Sequence, residues 1–408
     1  MRILIAPDKF AGTLSAPEAS AAIARGWRRT APDDVIVEIP LADGGPGFLD
    51  VLRACLGGEL LTLTVTGPTG APVEAAVLMA TGADDVPTAY LESAQACGLH
   101  LTEPADRDPR VTTSRGVGEL LVAAIEAGAR RVVVGLGGSG TNDAGAGMLA
   151  ALGARAVDSG GADVSELLSL GGAGLRGIAH VDLEAARARV GGGGDLDGSA
   201  GISSGPGLTG GSGALEIIIA TDVDNPLLGL RGATNGFGPQ KGADHASVMV
   251  LEGSLEAFVS AVGRRPDGKE PAVALGAGAA GGLGYAFLHL GATRVPGIAT
   301  VLEIVSLARR VGECDLVITG EGAFDWQSLR GKVVAGVAEA ALSQGRPCLV
   351  LAGRSELGRR EFAASGVSAA FSVVDHLSQQ GHPSEDAFED PAGKLADLAE
   401  RAARTWSR

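Results

Sequence analysis

The segment RILIAPDKFAGTLSAPEAS, residues 2–20, shows how the chain is built. Ile3–Ala6 is a short apolar run that predicts a buried strand. Ser15 and Glu18 have the spacing of a capping box, in which both side chains accept hydrogen bonds from open N–H groups at a helix start. We therefore predict a strand followed by a helix over about residues 16–29.

The same alternation continues after this segment and returns in the last third of the chain, which predicts a parallel α/β sheet. The further strands and helices of this kind are predicted at 35–40, 48–56, 315–319, 333–343, 347–352, 368–373 and 391–404. In the middle, three alternating segments separated by turns predict antiparallel strands at 60–65, 73–79 and 88–92. Beyond them we predict helices at 116–127, 143–152 and 246–262 and strands at 131–136 and 216–221.

These patterns predict an α/β protein of two domains. Residues 1–60 and 286–408 would form a discontinuous, doubly wound domain with a parallel sheet, and residues 61–285 an inserted α+β domain. Ligands of such enzymes bind beyond the carboxyl ends of strands and between domains, so we expect the cleft at the junction. Residues 191–213 are so rich in glycine and serine that they predict a flexible surface loop.

Composition argues against several classes of partner. The chain has 33 Lys and Arg against 48 Asp and Glu, a formal net charge of −15, with no basic cluster for a nucleic acid. No apolar run approaches the roughly 20 residues of a membrane span, and the N-terminal residues lack a signal-peptide core. We therefore expect a cytoplasmic protein with no nucleic-acid or membrane partner, and we leave monomer and homodimer open.

Charged residues follow the predicted strands at several points. Asp8 and Lys9 come after the first strand, and Asp43 comes after the second, beside two glycines. An aspartate there can bind a metal or accept a hydroxyl proton, and a lysine can bind a carboxylate or phosphate. Each group alone could equally be a solvated turn.

The glycine-rich segment 135–143 joins a predicted strand to a predicted helix, so its N–H groups could bind an anion, and Asp143 could cap the helix. Its spacing also matches the dinucleotide fingerprint, with Asp158 as the acid, which leaves an NAD-dependent enzyme open. A second match at 276–281 shows that the pattern arises easily in a chain with 64 glycines.

Two further segments carry candidate groups. Asp222 and Asp224 follow the strand predicted at 216–221 and could approach Mg²⁺, or they could form an ordinary Asx turn. Lys241 stands beside glycines and is expected to be solvated.

Residues 319–332 are the most informative local segment. They end a predicted strand at Glu321 and place Asp325, a hydroxyl, an amide and two cations, including Lys332, before a predicted helix. Phosphoryl transfer needs donors for phosphate oxygens, a metal ligand and a base. The alternative is a charged connector with ordinary helix capping.

Taken together in order, these motifs resemble the bacterial glycerate kinase family of the glyoxylate and galactarate pathways. The blocks are Ala6–Ser15, Ala42–Gly45, Thr112–Leu120, Gly137–Met148, Asp222–Gly229, Phe237–Ala243, Gly276–Gly284 and Thr319–Lys332. The resemblance implies a flavodoxin-like domain with an inserted second domain. It also implies ATP-dependent phosphorylation of D-glycerate to phosphoglycerate, usually 2-phosphoglycerate, with glycerate and ATP as ligands and Mg²⁺ as the metal.

On this resemblance we assign site roles as a hypothesis. The catalytic candidates are Asp8, Asp43, Asp325 and Lys332, and the substrate-binding candidates are Lys9, Ser93 and Arg115. The nucleotide-binding candidates are Gly137, Gly138, Ser139, Thr141, Asn142, Asp143, Gly278, Gly281, Gly282 and Glu321, and the metal candidates are Asp222 and Asp43. Which aspartate is the base stays open.

The chain also departs from the family pattern at Ala11, Pro46, Phe48 and Ala323, where the family usually carries polar or charged residues. These departures could alter the substrate or weaken catalysis. They leave a non-catalytic glycerate- or nucleotide-binding paralogue and a kinase for a related small hydroxy acid as alternatives, and the dinucleotide fingerprint leaves an NAD-dependent hydroxyacid dehydrogenase.

Overall fold

The structure is a computed structural model that describes residues 1–10, 12–82, 84–191, 214–329 and 332–407. Apart from Gly191, the glycine- and serine-rich loop predicted at 191–213 lies outside the described residues, and so does Ala11.

The strands of the described residues follow the chain in this order: β1 (Arg2–Ile5), β2 (Val35–Glu38), β3 (Glu59–Thr66), β4 (Pro72–Thr81), β5 (Pro87–Glu92), β6 (Arg131–Gly135), β7 (Arg155–Val157), β8 (His180–Asp182), β9 (Glu216–Ala220), β10 (Thr293–Val295), β11 (Leu316–Phe324), β12 (Cys348–Ser355) and β13 (Ala369–Ser372). The helices are α1 (Ala16–Thr30), α2 (Phe48–Leu56), α3 (Ala94–Cys97), α4 (Arg115–Glu126), α5 (Ala146–Ala151), α6 (Glu184–Arg189), α7 (Ala233–Phe237), α8 (His245–Val262), α9 (Leu283–His289), α10 (Gly297–Ile304), α11 (Leu307–Gly312), α12 (Val333–Ser343), α13 (Arg359–Ala363), α14 (Val373–Gln379) and α15 (Pro391–Trp406).

The chain divides into two compact units. The first unit consists of Met1–Gly57 and Pro296–Arg408, and the second consists of Gly58–Val295. The junction expected at 285/286 falls inside helix α9. That helix packs its apolar residues Tyr285 and Phe287 into the core of the second unit, which is why the division comes later in the chain.

The first unit has an all-parallel sheet in the order β13-β12-β11-β1-β2. Counted within the unit, this is the flavodoxin-like order 2-1-3-4-5. Ile3 and Ile5 of β1 pack with α1 and α15 on one face, and Leu4, which points to the opposite face, is also fully buried. Both faces are therefore covered, which confirms the predicted doubly wound α/β fold class.

Helices α1 and α15 pack closely on one face of this sheet. The predicted capping box is present, since Ser15 N donates to Glu18 Oε2 at 2.8 Å and Glu18 N donates to Ser15 Oγ at 3.4 Å. A Cβ atom on Gly26 would lie 1.9 Å from the carbonyl oxygen of Ala396, so only glycine allows this close approach. Where the helices meet solvent, Arg29 donates to Asp397 at 2.7 Å.

The second unit has a mixed sheet in the order β10-β9-β6-β5-β4-β3. Strands β3, β4 and β5 are antiparallel, as predicted, and β5, β6, β9 and β10 are parallel. The helix predicted to start at Asp143 begins instead at Ala146, after two residues with positive φ, Ala144 and Gly145.

Strand β11 is longer than predicted, since it continues from Thr319 to Phe324. Residues 320–324 stay in register with β12, where Glu321 pairs with Ala352 and Phe324 with Ser355. Glu321 therefore lies within a strand instead of in the loop that follows one. Among the described residues, no helix is long and apolar enough to cross a membrane.

The contact between α1 and α15 gives a stability prediction. Gly26→Ala should lower the free energy of unfolding by about 1–3 kcal/mol, because the new methyl group forces the helices apart. All three tryptophans, Trp27, Trp326 and Trp406, lie in the first unit, so urea denaturation followed by tryptophan fluorescence measures that unit. The control is Gly312→Ala in α11 of the same unit, where a Cβ meets only Gln344, at an ordinary contact distance of 3.5 Å. An unchanged midpoint for Gly26→Ala would contradict the prediction.

Candidate functional site

The candidate site of the first unit lies beyond the carboxyl ends of β1 and β11. In this strand order the connections leave β1 and β11 in opposite directions, which opens a crevice between the two strands. Asp8 and Lys9 follow β1, and the last residues of β11 run beside them, with Asp8 N donating to Gly320 O at 2.8 Å. The crevice continues into a cavity of about 460 Å³.

The cavity gathers the predicted groups of the first unit. Its charged lining residues are Asp8, Lys9, Asp43, Glu321, Asp325, Lys332 and Arg354. Five of these residues come from the two sequence segments 8–9 and 321–332, which are more than 300 residues apart in the chain. The pairing of β1 with β11 explains how the fold brings them together.

Lys9 bridges the ends of β1 and β2. Its Nζ donates to the carbonyl oxygen of Pro46 at 3.0 Å and lies 3.9 Å from Asp43 Oδ1. Asp43 Oδ1 also accepts from Gly45 N at 3.2 Å, and a Cβ on Gly45 would lie 3.1 Å from the same oxygen. The absence of a side chain at Gly45 thus leaves room for the Asp43 carboxylate to turn back towards Lys9.

Asp8 is a buried carboxyl group, 7% exposed. Burial, followed by repulsion from Asp43, raises its pKa to about 6, while Lys9 and Lys332 act in the opposite direction. The main-chain N–H of Lys9 donates to Asp8 Oδ1 at 2.7 Å. A carboxyl group with this pKa exchanges its proton near neutral pH, which suits a general base.

Glu321 is a second buried carboxyl group, also 7% exposed, that faces the cavity. Burial raises its pKa to about 7, against the opposing effects of Ser328 and Lys332. Its Oε1 has no hydrogen-bond partner among the described residues. A buried acceptor without a protein partner costs free energy unless water, a proton or a ligand meets it, so this oxygen is a candidate contact for a ligand.

Asp325 and Lys332 complete the polar end. Asp325 Oδ1 accepts from the main-chain N–H groups of Gln327 at 2.7 Å and Ser328 at 3.3 Å, so this oxygen holds its own turn. Lys332 Nζ lies 3.4 Å from Gln327 Oε1. Arg330, which the sequence placed in the same cluster, lies outside the described residues.

In the second unit, the glycine-rich segment 135–143 folds around Asp143. This fully buried carboxylate accepts hydrogen bonds from Ser114 N and Oγ, both at 2.8 Å, from Gly145 N at 3.1 Å and from Gly147 N at 3.2 Å. It thus binds N–H groups at the start of α5, in line with the capping role expected of Asp143, while anion binding by the N–H groups of 135–143 remains a prediction. The dinucleotide fingerprint also lacks its helix, since α5 starts six residues after Gly140, and Asp158 accepts from N–H groups of its own turn.

Lys241 is not solvated, contrary to expectation. It is 2% exposed, and its Nζ donates to Thr141 O at 2.7 Å and Ser139 Oγ at 3.2 Å. Burial lowers its pKa to about 8, and the nearby Cys97 and Asp143 oppose that shift. The lysine therefore fixes the loop that carries Ser139, Thr141 and Asn142, and Asn142 Nδ2 in turn donates to Thr234 at 2.9 Å.

The glycines at 278–282 pack against the same loop. A Cβ on Gly281 would lie 1.9 Å from Thr141 O, and one on Gly282 would lie 2.4 Å from Ala144 Cα. A Cβ on Gly278 would lie 2.4 Å from Pro226 O. These contacts explain three glycines by backbone packing. Direct contact with a phosphate remains a prediction for Gly137, Gly138 and Ser139.

The remaining candidates lie elsewhere in the second unit. Ser93 is fully buried and donates to Gly135 O at 2.9 Å. Arg115 forms an ion pair with Glu119 at 3.1 Å and donates to Ser169 at 3.2 Å. Asp222 is exposed after β9, and its neighbour Asp224 is ion-paired with Arg294 at 2.5 Å. Their predicted roles remain predictions.

A metal ion could use the carboxylates of the first-unit cavity. Within the described ranges, no three His, Cys, Asp or Glu side chains are arranged to hold a metal alone. Mg²⁺ commonly takes only one or two protein carboxylates and completes its shell with phosphates and water. The oxygen donors of Asp43 and Glu321, with the unpartnered Oε1, fit that chemistry.

Sequence reasoning missed the far end of the cavity. Arg354 at the end of β12 and the apolar residues around Phe388 also line it. Arg354 follows the strand predicted at 347–352, as Asp8 follows the first predicted strand, so it carried a usable signal. Phe388 carried none, because it lies in a polar segment after α14.

Comparison with known proteins identifies relatives along the whole chain. The family model described as "Glycerate kinase family" matches residues 3–407. The chain is 40% identical over 405 residues to a glycerate kinase of Bacillus subtilis (strain 168), covering 99% of this chain and 96% of the relative. It is 37% identical over 393 residues to a glycerate 2-kinase of Escherichia coli (strain K12), covering 96% of this chain and 95% of the relative. A crystal structure from Salmonella typhimurium LT2, described as glycerate kinase 2, matches with a TM-score of 0.76 at 35% identity, covering 99% of this chain and 98% of that one.

The raised carboxyl pKa values give a stability prediction. A carboxyl group with a higher pKa in the folded state stabilises the fold below its unfolded pKa, and this contribution is lost as the pH rises through the folded value. For Asp8 the loss runs from about pH 4 to pH 6, and for Glu321 from about 4.5 to 7.

Asp8→Asn and Glu321→Gln should therefore each raise the free energy of unfolding at pH 8 by about 1–3 kcal/mol, with the gain vanishing near pH 4. Urea denaturation at both pH values measures it. The control Asp33→Asn, at an exposed carboxylate, should change neither value. Destabilisation of both variants at pH 8 would contradict the assignment.

Proposed function

Since this chain belongs to the glycerate kinase family, we propose that it transfers the γ-phosphoryl group of ATP to the 2-hydroxyl of D-glycerate. The observation that carries the proposal is the convergence of Asp8, Lys9, Glu321, Asp325 and Lys332 on one cavity of the first unit. Phosphoryl transfer requires little covalent chemistry from the protein, but it needs such a group of acids and cations in fixed positions.

Lys9 is the proposed partner of the glycerate carboxylate. Its Nζ donates to the main-chain oxygen of Pro46 and lies 3.9 Å from Asp43 Oδ1, a loose ion pair that leaves room for an anionic ligand beside the lysine. In a protein with a net charge of −15, an anion needs this kind of local cation. Ser93 and Arg115 remain proposed substrate-binding residues of the second unit.

Asp8 is the proposed proton acceptor. Its carboxylate takes the proton of the attacking hydroxyl as the oxygen–phosphorus bond forms, and the bond from the γ-phosphorus to the bridging oxygen breaks to release ADP. Asp43 is held by Lys9 and Gly45, and Asp325 uses one oxygen to hold its own turn. Asp8 has the buried position and the pKa near 6 that a base at neutral pH requires.

Lys332 is the proposed partner of the γ-phosphate. Asp43 would hold Mg²⁺ together with the phosphates, with Asp222 as the alternative ligand proposed from the sequence. When bound, Mg²⁺ would neutralise charge on the phosphate oxygens. Glu321, which the sequence grouped with the nucleotide, has an unpartnered oxygen that such a cation would satisfy.

The glycine loops of the second unit are proposed to take part in nucleotide binding. In this proposal Gly137, Gly138 and Ser139 contact phosphate, while Thr141, Asn142, Asp143, Gly278, Gly281 and Gly282 hold that loop in shape. We separate these two sets of residues because the second set already has packing contacts or hydrogen bonds within the unit.

A coupled ADP-release assay tests the reaction. D-glycerate should give ADP at the highest kcat/KM, because glycerate is the acceptor named for the family and for the relatives above. Lactate lacks the 3-hydroxyl and tartronate has a second carboxylate in place of the hydroxymethyl group, so both keep the 2-hydroxyl and the carboxylate but should be slower. Phosphorus NMR of the product should show 2-phosphoglycerate. ADP release that does not depend on a hydroxy acid, or nicotinamide turnover, would contradict the proposal.

Replacing Asp8 tests the mechanism. Asp8→Asn should lower kcat by about a hundredfold or more, because the amide cannot accept the proton. In the wild type, kcat/KM should rise as the pH increases through about 6, where Asp8 ionises. The kcat values of Asp43→Asn and Asp325→Asn show which of the three carboxylates contributes most to the rate. Asp33→Asn, at an exposed carboxylate, is the control. An unaltered kcat in Asp8→Asn would remove this residue from the mechanism.

A further inference from the structure

The cavity of the first unit has two chemically different ends. The polar end lies beyond β1 and β11 and carries the acids and lysines described above. The other end lies beyond β12 and β13, and its lining side chains are apolar: Val373, Val374, Ala387, Phe388, Pro391 and Leu395. None of these six carries a charge, although the protein as a whole is highly charged.

The cavity is larger than the proposed acceptor needs. At about 460 Å³ it falls among pockets that take ligands of drug or cofactor size. A three-carbon acid has no apolar group for the far end and would fill only a fraction of the volume. The apolar end therefore belongs to a second ligand, or to a second part of one ligand.

We propose that this apolar end binds the purine base of ATP, with the triphosphate running along the strand ends towards Lys332 and Lys9. The inference rests on the proposed phosphoryl transfer and extends it by assigning a nucleobase site in the first unit. It assigns the base and the acceptor hydroxyl to the two ends of this cavity.

The sheet has the dimensions for this path. Strands β13, β12, β11 and β1 are consecutive neighbours, so three strand spacings, roughly 14 Å, separate β13 from β1. This distance is comparable with the length of an extended nucleoside triphosphate. Arg354 at the end of β12 lies between the two ends, and its side chain is 62% exposed. It forms an ion pair with Glu356 at 3.4 Å, for which a phosphate would compete.

The walls of the apolar end suit a flat, weakly polar ring. Leu395 and Val373 are almost fully buried and form a packed surface, whereas Phe388 is 73% exposed on a short 3-10 turn. An exposed phenylalanine beside a cavity loses water on one face when a base stacks on it, and such stacking is favourable for any base. A phosphate or carboxylate would find no donor side chain among these six residues.

Three variants test the assignment. Phe388→Ala should raise KM for ATP by about 5-fold to 100-fold, while KM for D-glycerate changes little. Phe388→Trp keeps an aromatic ring and should have a KM for ATP close to that of the wild type. Val374→Asp places a carboxylate in the apolar end and should also raise KM for ATP. Its position in the first turn of α14 favours an acidic residue, so the fold is retained. The control Leu342→Ala removes an exposed apolar side chain of the same unit outside the cavity.

Calorimetric titration of the full chain with ADP, without glycerate, separates the two proposals. If the wild type binds ADP more tightly than Phe388→Ala does, the nucleobase site stands even where no phosphoryl transfer is found. If the wild type is an active kinase but both variants keep the KM for ATP, the nucleobase site is wrong and the proposed function stands. A rise in KM for D-glycerate alone would assign the apolar end to the acceptor and overturn the inference.

Discussion

The parallel pairing of β1 with β11 is the constraint on which the candidate site depends. Ile3 pairs with Leu316 and Ile5 with Ile318, so two segments that are far apart in sequence end side by side. The strand order reverses at this pair, which leaves a crevice that no connection covers. Any displacement of one strand along the other would separate Asp8 from Glu321 and break up the polar end of the cavity.

The fold bears an electrostatic cost at this crevice. Asp8 and Glu321 are buried near further carboxylates, and only two lysines oppose the repulsion. Buried carboxyl groups destabilise a fold when they ionise, so selection for stability alone would replace them. The roles proposed for them, contact with a cation and acceptance of a proton, would account for their presence. The buried carboxylate of the second unit differs, because Asp143 accepts four hydrogen bonds from protein groups and stabilises its own loop.

Local patterns predicted much of the fold, because strands and helices of a covered parallel sheet carry strong apolar signals. The helices at 48–56 and 333–343 have the predicted bounds. The extension of β11 past Thr319 was not predictable, since it depends on pairing with β12. Among the site residues, the strand-end acids were found because their position follows from the topology. The burial of Lys241 was missed, because the loops that enclose it are distant in sequence.

The discontinuity of the first unit has a consequence for how the protein is made. On the ribosome, β1, α1 and β2 emerge early, but the neighbour of β1 on its other side is made only after the whole second unit. The second unit is continuous in sequence and can fold as soon as it leaves the exit tunnel. The first 57 residues cannot complete their sheet until β11 is made, so one edge of the apolar strand β1 stays unpaired until then. The early segment is therefore the part of the nascent chain that most needs protection by chaperones.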